Sequence, residues 1–345
     1  MRLSFARKII KPSLVFASLL IPGLMLSAEA KPQLYQQARY SMGTVFRIRI
    51  YHEDTEQAEQ SAELAAQTAF ELIEQADQRL SDWDDQSELM QAQAKAWPDP
   101  APISYALWQD LNQALYYHHI TQGAFDISVG PLLKLWGFRG ENTAQVPAES
   151  DLARVQQQVG MQHVQLQTNP RSLKLGQASM QLDFGGIGKG IAIDQAATAL
   201  GRLGITVAAI DCDSSSYFIG SPPGSMHGWP VLIRHPRDPE RALTALWLKD
   251  QGLSTSGDDQ QYFEVNGQRY SHILDPRSGQ PIKAPGSLTV IANNATAADA
   301  WSTALLVLDR QNGSQLAQTH GVQFIRAVPD AQGNWQLEAS HSGLL

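Results

Sequence analysis

Four glycines within six residues, Gly185, Gly186, Gly188 and Gly190, limit what this chain can fold into more than any other feature. They sit in Leu182-Asp-Phe-Gly-Gly-Ile-Gly-Lys-Gly-Ile191, with Asp194 just beyond. A run so poor in side chains cannot fill a core. It suits a sharp passage from a strand into a helix, or a place where the backbone approaches something closely. A helix starting there would aim unpaired N–H groups and a positive dipole end at an anion, and Lys189 adds a full charge. The segment therefore predicts a phosphate-bearing ligand, against the plainer reading of a glycine-rich turn in a β-α unit. It is not a P-loop, because Gly190 stands where a hydroxyl residue must follow Gly-Lys. Nor is it the dinucleotide fingerprint, whose last glycine spacing differs.

The N-terminus predicts export. Arg2, Arg7, Lys8 and Lys11 precede an apolar run from Leu14 to Leu26, and Ser27-Ala28-Glu29-Ala30 follows. This is the pattern of a signal peptide over residues 1–30, cleaved after Ala30, which leaves 31–345 as the folded region and predicts a periplasmic location. The alternative is an uncleaved inner-membrane anchor facing the periplasm. Pro22 and Gly23 interrupt the apolar run, which is short for a membrane span. Residues 1–30 carry a net charge of +3, so their removal takes the chain from −8 to −11. Such an acidic protein is a poor partner for nucleic acid. Cys212 is the only cysteine, which excludes an internal disulfide and a thiolate metal cluster. The remaining length allows one large domain or two closely packed lobes.

The pattern along the chain predicts an α+β fold with mixed or antiparallel sheets and packed helices. Residues 44–51 alternate as a half-buried strand, and 56–80 carry an amphipathic helical stripe. Residues 93–103 hold three prolines and predict a loop. Leu107, Leu111, Leu115 and His118 mark a second helix, ended by Gly123. The polar stretch 144–150 reads as a seam between lobes. Strands are expected around 163–167, 172–175 and 179–183, then a helix over 191–203 and a strand over 205–210. Further strands fall near 229–234, 243–248, 260–265 and 268–273, the last two joined by the hairpin signal Asn266-Gly267. A strand over 287–292 and a helix over 295–308 complete the pattern.

Three more segments could carry chemistry. Thr255-Ser256-Gly257-Asp258 reads as a turn whose hydroxyls could contact phosphate. Ser271-His272-Ile273-Leu274-Asp275-Pro276-Arg277-Ser278-Gly279 places a histidine three residues before a carboxylate, where Asp275 could orient His272 as a base; an exposed histidine at a strand end is the plainer reading. Asp299 and Thr303 are four apart on one helix face, a hard-oxygen pair suited to Mg²⁺, although such pairs are more often surface hydrogen bonds. His118-His119 stands alone on its helix and is not read as a metal site.

Taken in order, these segments resemble the ApbE family of FAD:protein FMN transferases. The matching residues are Met42-Gly43-Thr44, Leu80-Ser81, Ser87-Glu88-Leu89, Gly123-Ala124-Phe125-Asp126, Pro131-Leu132 with Leu135-Trp136-Gly137-Phe138, Asp183 to Gly190 with Asp194, Thr255-Ser256-Gly257, His272 to Gly279, and Ala298-Asp299-Ala300 with Thr303-Ala304. The resemblance spans roughly residues 40–310. It implies an α+β fold with FAD in a cleft between lobes, and Mg²⁺-dependent attachment of FMN, through a phosphoester, to a threonine or serine of a partner protein, with release of AMP. That partner would carry an exposed acceptor, for example on a subunit of a membrane redox complex. Carried over, Met42, Trp83, Gly123, Ala124, Phe125, Asp183, Lys189 and Leu274 would contact FAD. Asp299 and Thr303 would bind Mg²⁺, with Gly186 contributing its carbonyl and Ser302 assisting; His272 would be the base, and Asp275 would orient either His272 or the metal shell.

The chain departs from the family where an Asn-x-Gly-Gly-Asn/Asp turn is usual. It reads Asp211-Cys-Asp-Ser-Ser-Ser-Tyr217, which puts side chains at Asp213 and Ser214. Such positions can require φ > 0, which Asp tolerates better than most residues. Gln93 replaces a usual asparagine, and Trp83 a usual tyrosine. A periplasmic FAD pyrophosphatase and a flavin-binding protein without catalysis are the alternatives to the transferase.

Overall fold

The first two strands, β1 (Gln33–Ser41) and β2 (Thr44–His52), pair in unbroken antiparallel register around the tip Met42-Gly43. Both tip residues have positive φ, 49° and 76°, as a two-residue hairpin turn of the favoured twist requires. In this computed structural model residues 31–140, 144–258, 260–283 and 286–344 are described, and the expected signal peptide lies outside them. Helix α1 (Glu56–Leu80) begins where the Thr55 hydroxyl accepts the Ala58 N–H at 3.2 Å, and it buries Ala62, Ala65, Ala66, Ala69 and Ala76. Those small side chains let its backbone lie close to its neighbours.

The chain continues through α2 (Glu88–Gln93), β3 (Ala101–Pro102), α3 (Tyr105–Ile120), α4 (Gly130–Leu135) and α5 (Glu149–Gln156). Next come β4 (Val164–Thr168), β5 (Arg171–Leu175), α6 (Gly188–Arg202), β6 (Ala208–Cys212), β7 (Ser215–Ile219), β8 (Trp229–His235), β9 (Asp238–Leu248) and β10 (Gln251–Gly257). The last elements are β11 (Tyr262–Val265), β12 (Gln268–Ser271), β13 (Ser287–Ala292), α7 (Ala295–Val307), α8 (Arg310–Thr319), β14 (Gln323–Pro329) and β15 (Trp335–Ala339).

Eight strands form the main sheet in the order β1-β2-β6-β7-β10-β13-β14-β15, with every neighbouring pair antiparallel. Alternation along β6 sorts its two faces. Ala208, Ile210 and Cys212 pack with apolar residues of α1 and α6, whereas Ala209 joins Phe218, Trp229 and Leu253 against the β8–β9 hairpin. This is the α+β fold that the pattern predicts, with antiparallel ladders throughout among the described strands. From Pro32 onward the chain forms one compact unit, and the end of the polar stretch 144–150 opens α5.

Two local expectations fail for identifiable reasons. Residues 179–183 are not a strand, because their backbone bonds elsewhere: Leu182 N–H donates to the Gln93 Oε1 at 2.9 Å and Asp183 N–H to the Ile127 carbonyl at 2.7 Å. Residues 255–257 are not a turn but the end of β10, paired with β13. The small residues Gly252, Ser254 and Ser256 recur at every second position because α7 lies against that face. A Cβ on Gly252 would sit 2.5 Å from the Asn294 carbonyl carbon at the start of α7.

Helices α6 and α7 are tied at one point. The Asp194 carboxylate on α6 accepts Ala295 N–H at 2.8 Å and Thr296 N–H at 2.9 Å, as well as the Thr296 hydroxyl. One helix thus satisfies first-turn donors of the other. Gly190 permits the approach, since a Cβ there would sit 2.5 Å from the Ala295 carbonyl oxygen.

Candidate active site

A cavity of about 770 Å³ opens where the β1–β2 tip, the end of α1, the start of α6 and one face of α7 converge. Each wall is held by local chemistry. Asp77 on α1 accepts Met42 N–H at 2.7 Å and the Ser41 hydroxyl at 3.0 Å, which fixes the hairpin tip. The Met42 side chain reaches α6, its Cε lying 3.4 Å from where a Cβ on Gly188 would be. After α3, Gln122 and Gly123 turn the chain with φ of 55° and 80°, and Phe125 N–H is caught by the Thr121 hydroxyl at 3.1 Å. The Phe125 ring comes within 3.3 Å of the Cβ position of Gly186, so bare backbone at 186 makes room for it.

Of the residues singled out in the sequence, Met42, Trp83, Ala124, Phe125, Asp183, Gly186, Lys189, His272, Leu274, Asp299 and Thr303 line this one cavity. Gly123, Asp275 and Ser302 do not. Gly123 supplies the turn. Ser302 is fully buried and points inward, donating to the Asp299 carbonyl at 2.9 Å, while Ser256, 2.7 Å from it, takes the lining position. Asp275 does not orient His272. Its carboxylate closes a turn on Arg277, accepting from the guanidinium at 2.8 and 2.9 Å and from the Arg277 N–H at 2.9 Å.

His272 is oriented instead by the Gln261 carbonyl, 3.0 Å from Nδ1. A carbonyl can only accept, so Nδ1 carries the proton and Nε2 the lone pair. Burial pushes the imidazole down to about 4, with Arg139 and Lys189 adding positive charge nearby, so the ring is neutral at physiological pH.

Asp299 is 5 % exposed, and both carboxylate oxygens are engaged. Oδ1 accepts the Ser215 and Ser254 hydroxyls, each at 2.6 Å, and Oδ2 accepts Gly190 N–H at 2.7 Å. The start of α6 is therefore not simply open to an anion: its Gly190 amide faces a carboxylate of the protein itself, and Gly188 N–H goes to the Phe184 carbonyl. Lys189, half-buried on the same turn, lines the cavity without an ion-pair partner among the described residues. No cluster of three or more His, Cys, Asp or Glu among the described residues could hold a metal. What Asp299 has around it is hard oxygen: Thr303 and Ser256 hydroxyls 3.5 Å apart, with Gly186 beside Thr303. That donor set fits Mg²⁺, which takes few protein carboxylates and completes its shell with water or phosphate.

A second cluster joins the expected Trp83 and Asp183 to two residues that the sequence did not point to, Asp82 and Arg139. Asp82, Trp83, Arg139 and Asp183 form one side of the cavity. Arg139 Nε lies 2.8 Å from Asp82 and 2.9 Å from Asp183, and its guanidinium sits 5.1 Å from the centroid of the Trp83 ring. No spacing links residues so far apart in sequence; Arg139 directly after the aromatic run at 135–138 was the one available hint.

The chain is similar in sequence and fold to known proteins. The sequence is 33% identical over 302 residues to the FAD:protein FMN transferase of Escherichia coli strain K12, covering 86% of this chain and 85% of that protein. It is 32% identical over 299 residues to a protein of the same name from Klebsiella pneumoniae strain 342, covering 85% and 84%. The fold superimposes on the apo flavinyl transferase ApbE of Pseudomonas stutzeri with a TM-score of 0.79 at 28% identity, covering 91% of this chain and 97% of that one. The flavin transferase ApbE of Vibrio cholerae gives the same TM-score at 23% identity, covering 91% and 100%, a likeness of fold. The family's sequence pattern matches residues 42–326, and this chain belongs to the ApbE family.

Proposed function

We propose that this protein is an FAD:protein FMN transferase that attaches FMN through a phosphoester to a threonine or serine of an exported partner protein, with release of AMP and dependence on Mg²⁺. The observation that carries the reading is the convergence on one cavity of a neutral histidine, a lysine with no ion-pair partner among the described residues and an oxygen-rich carboxylate site. The relatives' activity and the signal-peptide pattern of residues 1–30 support the substrate and a periplasmic location.

The chemistry follows from the residues. The acceptor hydroxyl attacks the FMN-side phosphorus of FAD; the new O–P bond forms as the bond to the AMP oxygen breaks. His272 Nε2 takes the hydroxyl proton, and the Gln261 carbonyl holds the tautomer that makes this possible. Lys189 places its charge toward the phosphate oxygens. A divalent cation held by Asp299, Thr303 and the Gly186 carbonyl would supply further positive charge to those oxygens. Met42, Trp83 and Phe125 offer apolar surface to the ring systems.

The test uses the purified protein with FAD, Mg²⁺ and an acceptor domain bearing a candidate threonine, read by intact mass and by AMP release. The expected result is a gain on the acceptor equal to FMN, matched by AMP and abolished by EDTA. AMP and free FMN with an unmodified acceptor would replace the reading by FAD hydrolysis, and bound FAD with neither product would replace it by flavin binding alone.

A further inference from the structure

Of the cavity wall formed by Asp82, Trp83, Arg139 and Asp183, the mechanism above uses only the face of Trp83, and the Arg139 guanidinium and the two carboxylates beside it have no part in it. One Arg139 nitrogen bridges two carboxylates whose side chains are 18 % and 5 % exposed. Its guanidinium lies over the indole of Trp83, a residue 65 % exposed at the cavity rim. Gly185 leaves the space that the guanidinium fills, since a Cβ there would stand 3.1 Å from its terminal nitrogen. One cation facing two buried carboxyls also separates their titrations. Burial, together with the charge of Asp183, pushes Asp82 up to about 7. For Asp183 burial acts upward too, but Arg139, the Asp82 hydrogen bond and the Gly185 N–H outweigh it and hold the carboxyl below its usual range.

Resting on the flavin-transfer reading, we infer that Arg139 is a specificity residue of this chain, which props Trp83 as a flat wall and, beside Asp183, offers a hydrogen-bond donor next to an acceptor to the edge of a bound heteroaromatic ring. A planar, fork-shaped cation suits this task because it can stack on an indole and hydrogen-bond in its own plane at the same time. The complementary ligand edge carries an acceptor beside a donor. The imide edge of a flavin has that pattern, and so does the amino edge of adenine.

The experiment measures binding of FAD, FMN and ADP by calorimetry to the wild type, Arg139→Ala, Arg139→Lys and Asp82→Asn. Arg139→Ala should weaken FAD about tenfold, the scale of one charge-assisted hydrogen bond. The same loss should appear on FMN alone if the wall reads the flavin, or on ADP alone if it reads the adenine. Arg139→Lys keeps the charge but not the fork, and should retain most of the loss. Equal losses on FMN and ADP, full rescue by lysine, or no loss at all would each overturn the inference. A wild type that binds no FAD would overturn the flavin-transfer reading as well, whereas a wild type that transfers flavin isolates failure to this inference.

If Arg139→Ala fails to fold, Asp82→Asn carries the test. As pH rises through 7, Asp82 loses its proton and the cluster turns net negative beside an anionic ligand, so wild-type FAD affinity should fall a few-fold between pH 6 and 8. Lys189 also faces the cavity, and His272, neutral above about 4, adds nothing to the slope. Asp82→Asn should flatten the profile; an unchanged slope would overturn the inference.

Discussion

Asp299 is held by three donors, the Ser215 and Ser254 hydroxyls and the Gly190 N–H, and this makes it structural as well as functional. Asp299→Ala strips all three buried donors of their carboxylate, and only the Ser215 and Ser254 hydroxyls, 3.2 Å apart, can still bond one another, each bond lost costing about 1 kcal/mol or more. It should lower stability by about 3 kcal/mol in urea titration, and a loss below about 1 kcal/mol would contradict this bonding. His272 gives a second expectation. Its folded pKa of about 4 lies below the ordinary value, so between pH 6.5 and 4 the unfolded chain binds a proton that the folded chain does not. Stability from this group is present above 6.5 and is lost as pH falls through that window. The kcat/KM profile for transfer should accordingly show no acid limb near 6.5, and His272→Ala should slow transfer while sparing FAD affinity. An acid limb at 6.5 in the wild type would mean that the ring is not desolvated in solution. Most of these residues were legible because each belongs to a short motif. Asp82 and Arg139 were not, because their meeting depends on the packing of α1's end beside the loop after α4.

At the scale of elements, the sequence pattern succeeded where a face is apolar and failed where partners come from far away. Helix α1 has the predicted bounds because its alanine and isoleucine stripe is continuous. The segment 179–183 alternates like a strand, yet its donors go to the Gln93 side chain and the Ile127 carbonyl, which no local pattern announces. In β10 the composition of a turn proved to be that of a strand crowded by a helix. The altered hairpin between β6 and β7 places Asp213 at φ 32°, as the missing glycine suggested. Asp213→Gly should remove that strain and raise stability by about 0.5 kcal/mol, measurable as a small rise in Tm. Gly190→Ala should do the reverse. Its Cβ meets the Ala295 carbonyl at 2.5 Å, so α6 and α7 must separate, at a cost of about 3 kcal/mol in urea unfolding.

For the whole molecule, the cavity is assembled from residues as distant as Tyr40 and Thr303, so ligand binding and global folding are one event. FAD at a hundred times its Kd should stabilise the entire chain by about 2.7 kcal/mol in a single transition. Cys212 provides an independent gauge. Its thiol is 1 % exposed and pushed up to about 12 by burial, so a thiol reagent should label it only on unfolding, at a rate that FAD lowers. Rapid labelling of the native protein would contradict the packing of β6.

The Asp194 bridge governs how this molecule can move. A helix start tied through two amides and a hydroxyl to a carboxylate in its neighbour cannot slide or roll without breaking all three together. Lys189 on α6 and Asp299 on α7 are therefore geared to one another, their separation set by the framework whatever the cavity holds. The phosphate end of the cavity is therefore the fixed jaw of the vice.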